Sequence, residues 1–168
     1  MMNCYSMFAL ILITHTVSIW SAPTLIPYDA HGNRRQETIA LYRRIKGSSA
    51  DIPLVLDEGY HDETEQLPRA SIFVDNNAVI GLIIYTPRTV LGRPTAHISK
   101  LMMDHQHENQ ASDLLRAFEQ QKRAEHRVQI SADINVSNKN FFSRAGFVKT
   151  KDESLMAKNI AGGACCVQ

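Results

Sequence analysis

The sequence predicts one mixed α/β domain of the α+β kind, and three observations predict it. The first is a hairpin pattern, in which Ser71–Val74 and Ala78–Tyr85 flank Asp75-Asn76-Asn77, residues that tolerate the positive φ of a tight turn. The second is an amphipathic helix over Asn109 to about Arg123, with Ala111, Leu114, Leu115 and Phe118 on one narrow stripe. The third is the segment after it, Arg127–Ile134, where Val128, Ile130, Ala132 and Ile134 alternate with polar residues as in a half-buried strand. With 168 residues, 44% of them hydrophobic, the chain can bury one core, so one domain is the default.

Taken in order, the elements begin with an apolar segment, Met1–Ala22, that lacks Lys and Arg. It reads as a signal-like segment, an extra packed element or an over-extended start. Thr24–Tyr28 is a short strand broken by Pro27. A helix follows, with Asn33 and Gln36 as a capping box, Thr38, Leu41, Tyr42 and Ile45 as its apolar stripe, and Gly47 as its stop. Ser48–Glu58 holds a second short helix with Pro53 in its first turn, and Asp57–Arg69 is an acidic loop. After the hairpin, whose second strand is apolar on both faces and so central, Pro87–Pro94 reads as a loop and Ala96–Asp104 as a strand. Past Arg127–Ile134, Asn135 caps a short helix stopped by Gly146. Phe147–Lys149 and Ser154–Ala157 close the sheet as a last hairpin, and Ile160–Gln168 is a tail.

Composition excludes several classes. A net charge of +1 without a long basic run gives no sign of broad nucleic-acid binding. Cys4, Cys165 and Cys166 all lie near the termini, so the body has neither a disulfide framework nor a cysteine zinc site. His105, His107 and His61 have no fixed further ligand, and no metal is expected.

Two stretches carry the chemistry. Gln106, Asn109 and Ala111, followed by Leu114-Leu115, open the amphipathic helix; Asn135, Asn138, Phe141-Phe142 and Gly146-Phe147 form the second. Together they resemble the acyl-CoA-binding core of the GNAT superfamily of N-acetyltransferases, over roughly residues 23–158. The family pattern at the first is Gln or Arg, then Gly, then Gly or Ala, so Asn109 stands where Gly is usual. The turn also lacks Lys and Arg and carries Glu108 and Asp113. As residues alone, it reads better as an ordinary polar helix start.

The resemblance implies a mixed, mostly antiparallel sheet of six to seven strands flanked by about four helices. It implies acetyl-CoA as cosubstrate, with its diphosphate at the helix N-terminus formed by Gln106, His107, Glu108, Asn109, Gln110, Ala111 and Ser112. Its pantetheine arm would lie along the backbone of Leu101, Met102 and Met103 and near Asn135. Phe142 stands where many members have the Tyr that protonates the departing thiolate. The acceptor is a primary amine, on a protein, a peptide or a small polyamine. His97 is one candidate base; Glu58, Asp62, Glu63 and Glu65 are others. The same residues also suit a fold that has ceased to catalyse and serves as a binding module.

The C-terminal Cys165-Cys166-Val167-Gln168 matches a C-a-a-X prenylation signal with Cys165 as the lipidated residue. The expected location is cytoplasmic, with membrane association through that lipid, and secretion is the outcome if the N-terminal segment acts instead.

Overall fold

The computed structural model describes residues 22–58, 67–134, 138–152 and 154–161. The chain runs β1 (Thr24–Pro27), α1 (Arg35–Lys46), α2 (Leu54–Asp57), β2 (Arg69–Asp75), β3 (Ala78–Val90) and β4 (Arg93–Met103). A 3-10 helix (His105–Gln110) leads into α3 (Ala111–Ala124), followed by β5 (Gln129–Asp133), α4 (Lys139–Arg144), β6 (Val148–Lys149) and β7 (Leu155–Asn159). The strands form one sheet in the order β1-β2-β3-β4-β5-β7-β6. Every pairing is antiparallel except β4 with β5.

Two tight turns set the register of the long strands. Asn76 and Asn77 have φ of 45° and 66°, and Leu91 and Gly92 have φ of 50° and 75°. Both are two-residue turns whose twist matches that of the strands they join. The second replaces the loop expected over Pro87–Pro94. Pro87 fits inside β3 because it lies past the last pair with β2, Arg69↔Tyr85, where no ladder bond is asked of its nitrogen on that side.

Strand alternation sorts the core into two layers. Ile83, Tyr85, Ala96, Ile98, Ile130, Ala132 and Met156 face Leu114, Leu115 and Phe118 of α3 and Phe142 of α4. Ile72, Leu82, Ile84 and Met102 face Leu41 and Tyr42 of α1 and Val55 and Leu56 of α2. The central place of β3, apolar on both faces, agrees with its sequence.

Other boundaries moved for local reasons. No side chain caps α1: Arg34 is at its N-cap, so the Asn33–Gln36 box is not formed. Gly47 ends it with φ of 104°, and Ile45 of the expected stripe is 38% exposed. Pro53 sits before α2 as N-cap, not in its first turn. The α-helix expected from Asn109 begins at Ala111, because residues 105–110 wind as 3-10. Asn138 is the N-cap of α4, and Gly146 follows the helix with φ of 85°. Ile160 belongs to the core rather than a tail: it is 1% exposed, and its N–H bonds to the Val128 carbonyl at 2.9 Å.

Candidate active site

The sheet opens at one place. β4 and β5 pair only from Thr95↔Gln129 to Ile98↔Ala132. Beyond that, β4 continues to Met103 bonded, among the described residues, to β3 alone, while β5 ends at Asp133. The register of β4 against β3 slips where they part: Ile84 pairs with Lys100 and Tyr85 with Ile98, leaving Ser99 as the extra residue. A bulge bends a strand away from its neighbour. Here it leaves the backbone of Leu101–Met103 without a strand partner on the β5 side among the described residues. Such an edge can accept an extended, amide-bearing arm by strand-like hydrogen bonds.

His97 lies on β4 just before this fork, on the face away from α3. It is 3% exposed, with Nδ1 3.0 Å from Ser131 Oγ and Nε2 3.2 Å from Asp133 Oδ1. Nε2–H donating to the carboxylate leaves Nδ1 to accept from the Ser131 hydroxyl. Burial lowers the His97 pKa below its ordinary 6.5, the Arg88 guanidinium lowers it further, and Asp133 opposes both. The imidazole is therefore neutral at pH 7 and able to take a proton. Of this trio only His97 stands out in the sequence. Ser131 and Asp133 are visible there only as polar positions of an alternating strand, and it is the parallel pairing of β4 with β5 that brings them to His97.

Two pockets flank the fork on this face. One, of about 420 Å³, is lined by Leu54 and Val55 of α2, Leu67 and Pro68 before β2, and Ile84, Ser99 and Lys100. The Lys100 ammonium donates to the Tyr42 hydroxyl at 3.0 Å. The other, of about 550 Å³, has His97 and Ser131 in its lining, with the β3–β4 hairpin on one side and Thr150–Asp152 on the other.

The turn after β4 is closed. Asp104 accepts from the Gln106 N–H through its side chain and from the His107 N–H through its carbonyl, and the Ala111 N–H bonds to the Glu108 carbonyl. Arg44 pairs with Asp104 and His105 with Glu108. His107 Nδ1 and Gln110 Oε1 are buried without a hydrogen-bond partner among the described residues. The open fork fits a pantetheine arm. This turn fits a diphosphate poorly, because much of its backbone donor capacity is used internally, no Lys or Arg lies in residues 104–112, and Glu108 and Asp113 repel phosphate.

Solved structures share this architecture. An acetyltransferase of the GNAT family from Staphylococcus aureus superposes with a TM-score of 0.61 at 16% identity, covering 83% of this chain and 99% of its own. GCN5 of Tetrahymena gives 0.61 at 13% identity, covering 86% and 99%, and Ard1 of Thermoplasma volcanium gives 0.58 at 18%, covering 83% and 98%. The chain has the fold of the GNAT acetyltransferases. No family model and no curated protein matches the sequence.

Within this GNAT fold, the remaining sequence-derived residues fall as follows. Phe142 is 2% exposed, its ring edge-on to Phe141 and Phe147 at 5.3 and 5.1 Å, so it packs the core. Glu58 is exposed on the α2 side. Asp62, Glu63, Glu65, Asn135 and Cys165 lie outside the described residues, as does the apolar segment Met1–Ser21. Among the described residues no helix is long and apolar enough to cross a membrane, and no cluster of three or more His, Cys, Asp or Glu could hold a metal.

Proposed function

We propose that this chain transfers the acetyl group of acetyl-CoA to a primary amine. The observation that carries this is the fork, where β4 leaves β5 past Ile98 and offers the backbone of Leu101–Met103 to an arm that makes amide hydrogen bonds. Acetyl-CoA supplies the activated acyl carbon; the new C–N bond replaces the C–S bond, and CoA leaves as a thiolate that takes its proton from water. His97 takes the amine's proton at Nδ1 through the Ser131 hydroxyl, and Asp133 holds the ring in that tautomer. Gln106–Ser112 and Asn135 stay the further cofactor contacts that the resemblance implies, although the closed turn fits the diphosphate poorly. Phe142 brings no acid, which a thiolate tolerates as a leaving group.

Calorimetric titration of acetyl-CoA into the full chain, with thiol release measured on an amine panel, tests the reading. Micromolar binding and turnover that falls about 100-fold in His97→Ala are expected. Turnover unchanged in that variant removes His97 from the reaction.

The closed turn favours a second reading, a GNAT-fold protein that binds without catalysing. It predicts a folded chain with no acetyl-CoA affinity. In either reading, a lipid on Cys165 would give the domain a marginal, reversible membrane affinity; mass analysis of the chain from eukaryotic cells tests for the lipid.

A further inference from the structure

The pocket of about 550 Å³ over β4, β5 and β7 has an unbalanced lining. Arg88, Arg93 and Lys151 contribute to it, are exposed, and their side chains have no hydrogen bond or ion pair among the described residues. The carboxylates nearby are already engaged. Asp133 is held by His97 Nε2, and Asp152 Oδ1 accepts from the Ser154 N–H at 2.9 Å and the Ser154 hydroxyl at 2.6 Å. Both carboxylates keep their charge. Among the described lining residues, three cations, Arg88, Arg93 and Lys151, stand against the one carboxylate of Asp152, so the net charge facing the pocket is positive.

Its walls also carry Val90 and Leu91. Leu91 is 97% exposed with φ of 50°, a conformation that disfavours a branched apolar side chain, yet it stands at the rim. The two-residue turn imposes that φ and lifts the leucyl side chain to the pocket mouth.

Building on the acetyl-transfer reading, we propose that this pocket receives the acceptor and that the acceptor is a small amine bearing a carboxylate and an apolar group. Arg93 and Arg88 hold the carboxylate, Val90 and Leu91 cover the apolar group, and the amine lies toward His97 and Ser131. The volume suits a ligand of amino-acid to dipeptide size. A polyamine meets like charge here and is excluded.

The test uses the full chain and three probes: N-acetyl-leucine, its neutral amide, and N-acetylputrescine. N-acetyl-leucine is expected to bind about tenfold more tightly than its amide, because it adds a charge-assisted contact to arginine. Arg93→Ala should weaken it about tenfold, Arg88→Ala with Arg93→Ala further, and Arg93→Lys less than Arg93→Ala. Both arginines are exposed, so these variants keep the fold. Equal binding of the amide or of N-acetylputrescine, binding unchanged by the alanine variants, or no binding of N-acetyl-leucine overturns the proposal. Thiol release separates it from the reading beneath it. Turnover of putrescine but not leucine removes the anionic acceptor and leaves acetyl transfer standing. Arginine-dependent binding of N-acetyl-leucine without acetyl-CoA affinity does the reverse.

Discussion

Lys122 gives the sharpest test of the core. It lies on α3, 0% exposed, and its ammonium donates to the Tyr85 hydroxyl at 2.7 Å and to both oxygens of Glu125 at 2.8 and 2.9 Å. It also sits 4.0 Å from the centre of the Tyr85 ring and 5.1 Å from that of Phe118. Lys122→Met keeps the volume and removes the desolvated charge, but leaves the Tyr85 hydroxyl without its partner. Glu125 can turn to water, so the cost is that of the orphaned hydroxyl, about 1–2 kcal/mol. Lys122→Ala adds the loss of three buried methylenes at about 0.8 kcal/mol each, for about 4 kcal/mol. In a domain of this size, that is a fall in Tm of about 8–16 °C. Urea denaturation of both variants, with and without Tyr85→Phe, reads the energies. Tyr85→Phe should recover about 1 kcal/mol in the Met background. A cost below about 1 kcal/mol for Lys122→Ala, or no recovery from the double substitution, would refute the burial and pairing described.

Three further outcomes are expected. Because the folded state depresses the His97 pKa, the unfolded chain binds its proton more readily. Stability is full above the ordinary 6.5 and falls as pH drops below it; the slope of Tm between pH 5 and 6.5 should be shallower in His97→Gln, and an unchanged slope would count against the shift. Leu91→Asn should stabilise by about 0.5–1 kcal/mol, since Asn takes the positive φ more readily and no burial is lost; a lower Tm would contradict this. Gly81→Ala would place its Cβ 2.5 Å from Met103 Sδ and 3.1 Å from Leu114 Cδ2, costing about 1–3 kcal/mol, and Met103→Ala should relieve part of it in chemical denaturation.

The sequence by itself determined the elements and their faces. Alternation in Arg127–Ile134, the stripe Leu114-Leu115-Phe118, and the double-faced apolar run of β3 are local periodicities, and each survived into the sheet. Turn chemistry was legible at Asn76-Asn77 because those residues suit positive φ. It was illegible at Leu91-Gly92, where a branched leucine and two flanking prolines imitate a loop. The winding of His105–Gln110 was also hidden, since Asp104 caps it from the end of a strand. The site was legible only where one residue type carried the signal, as at His97. Its partners Ser131 and Asp133 lie 34 and 36 positions away, and only the parallel pairing of β4 with β5 brings them to its ring. Tertiary structure alone decided the fork at Ser99, the pocket and its unpaired arginines. A bulge, a strand parting and a charge imbalance are properties of which strands become neighbours, and no local pattern encodes them.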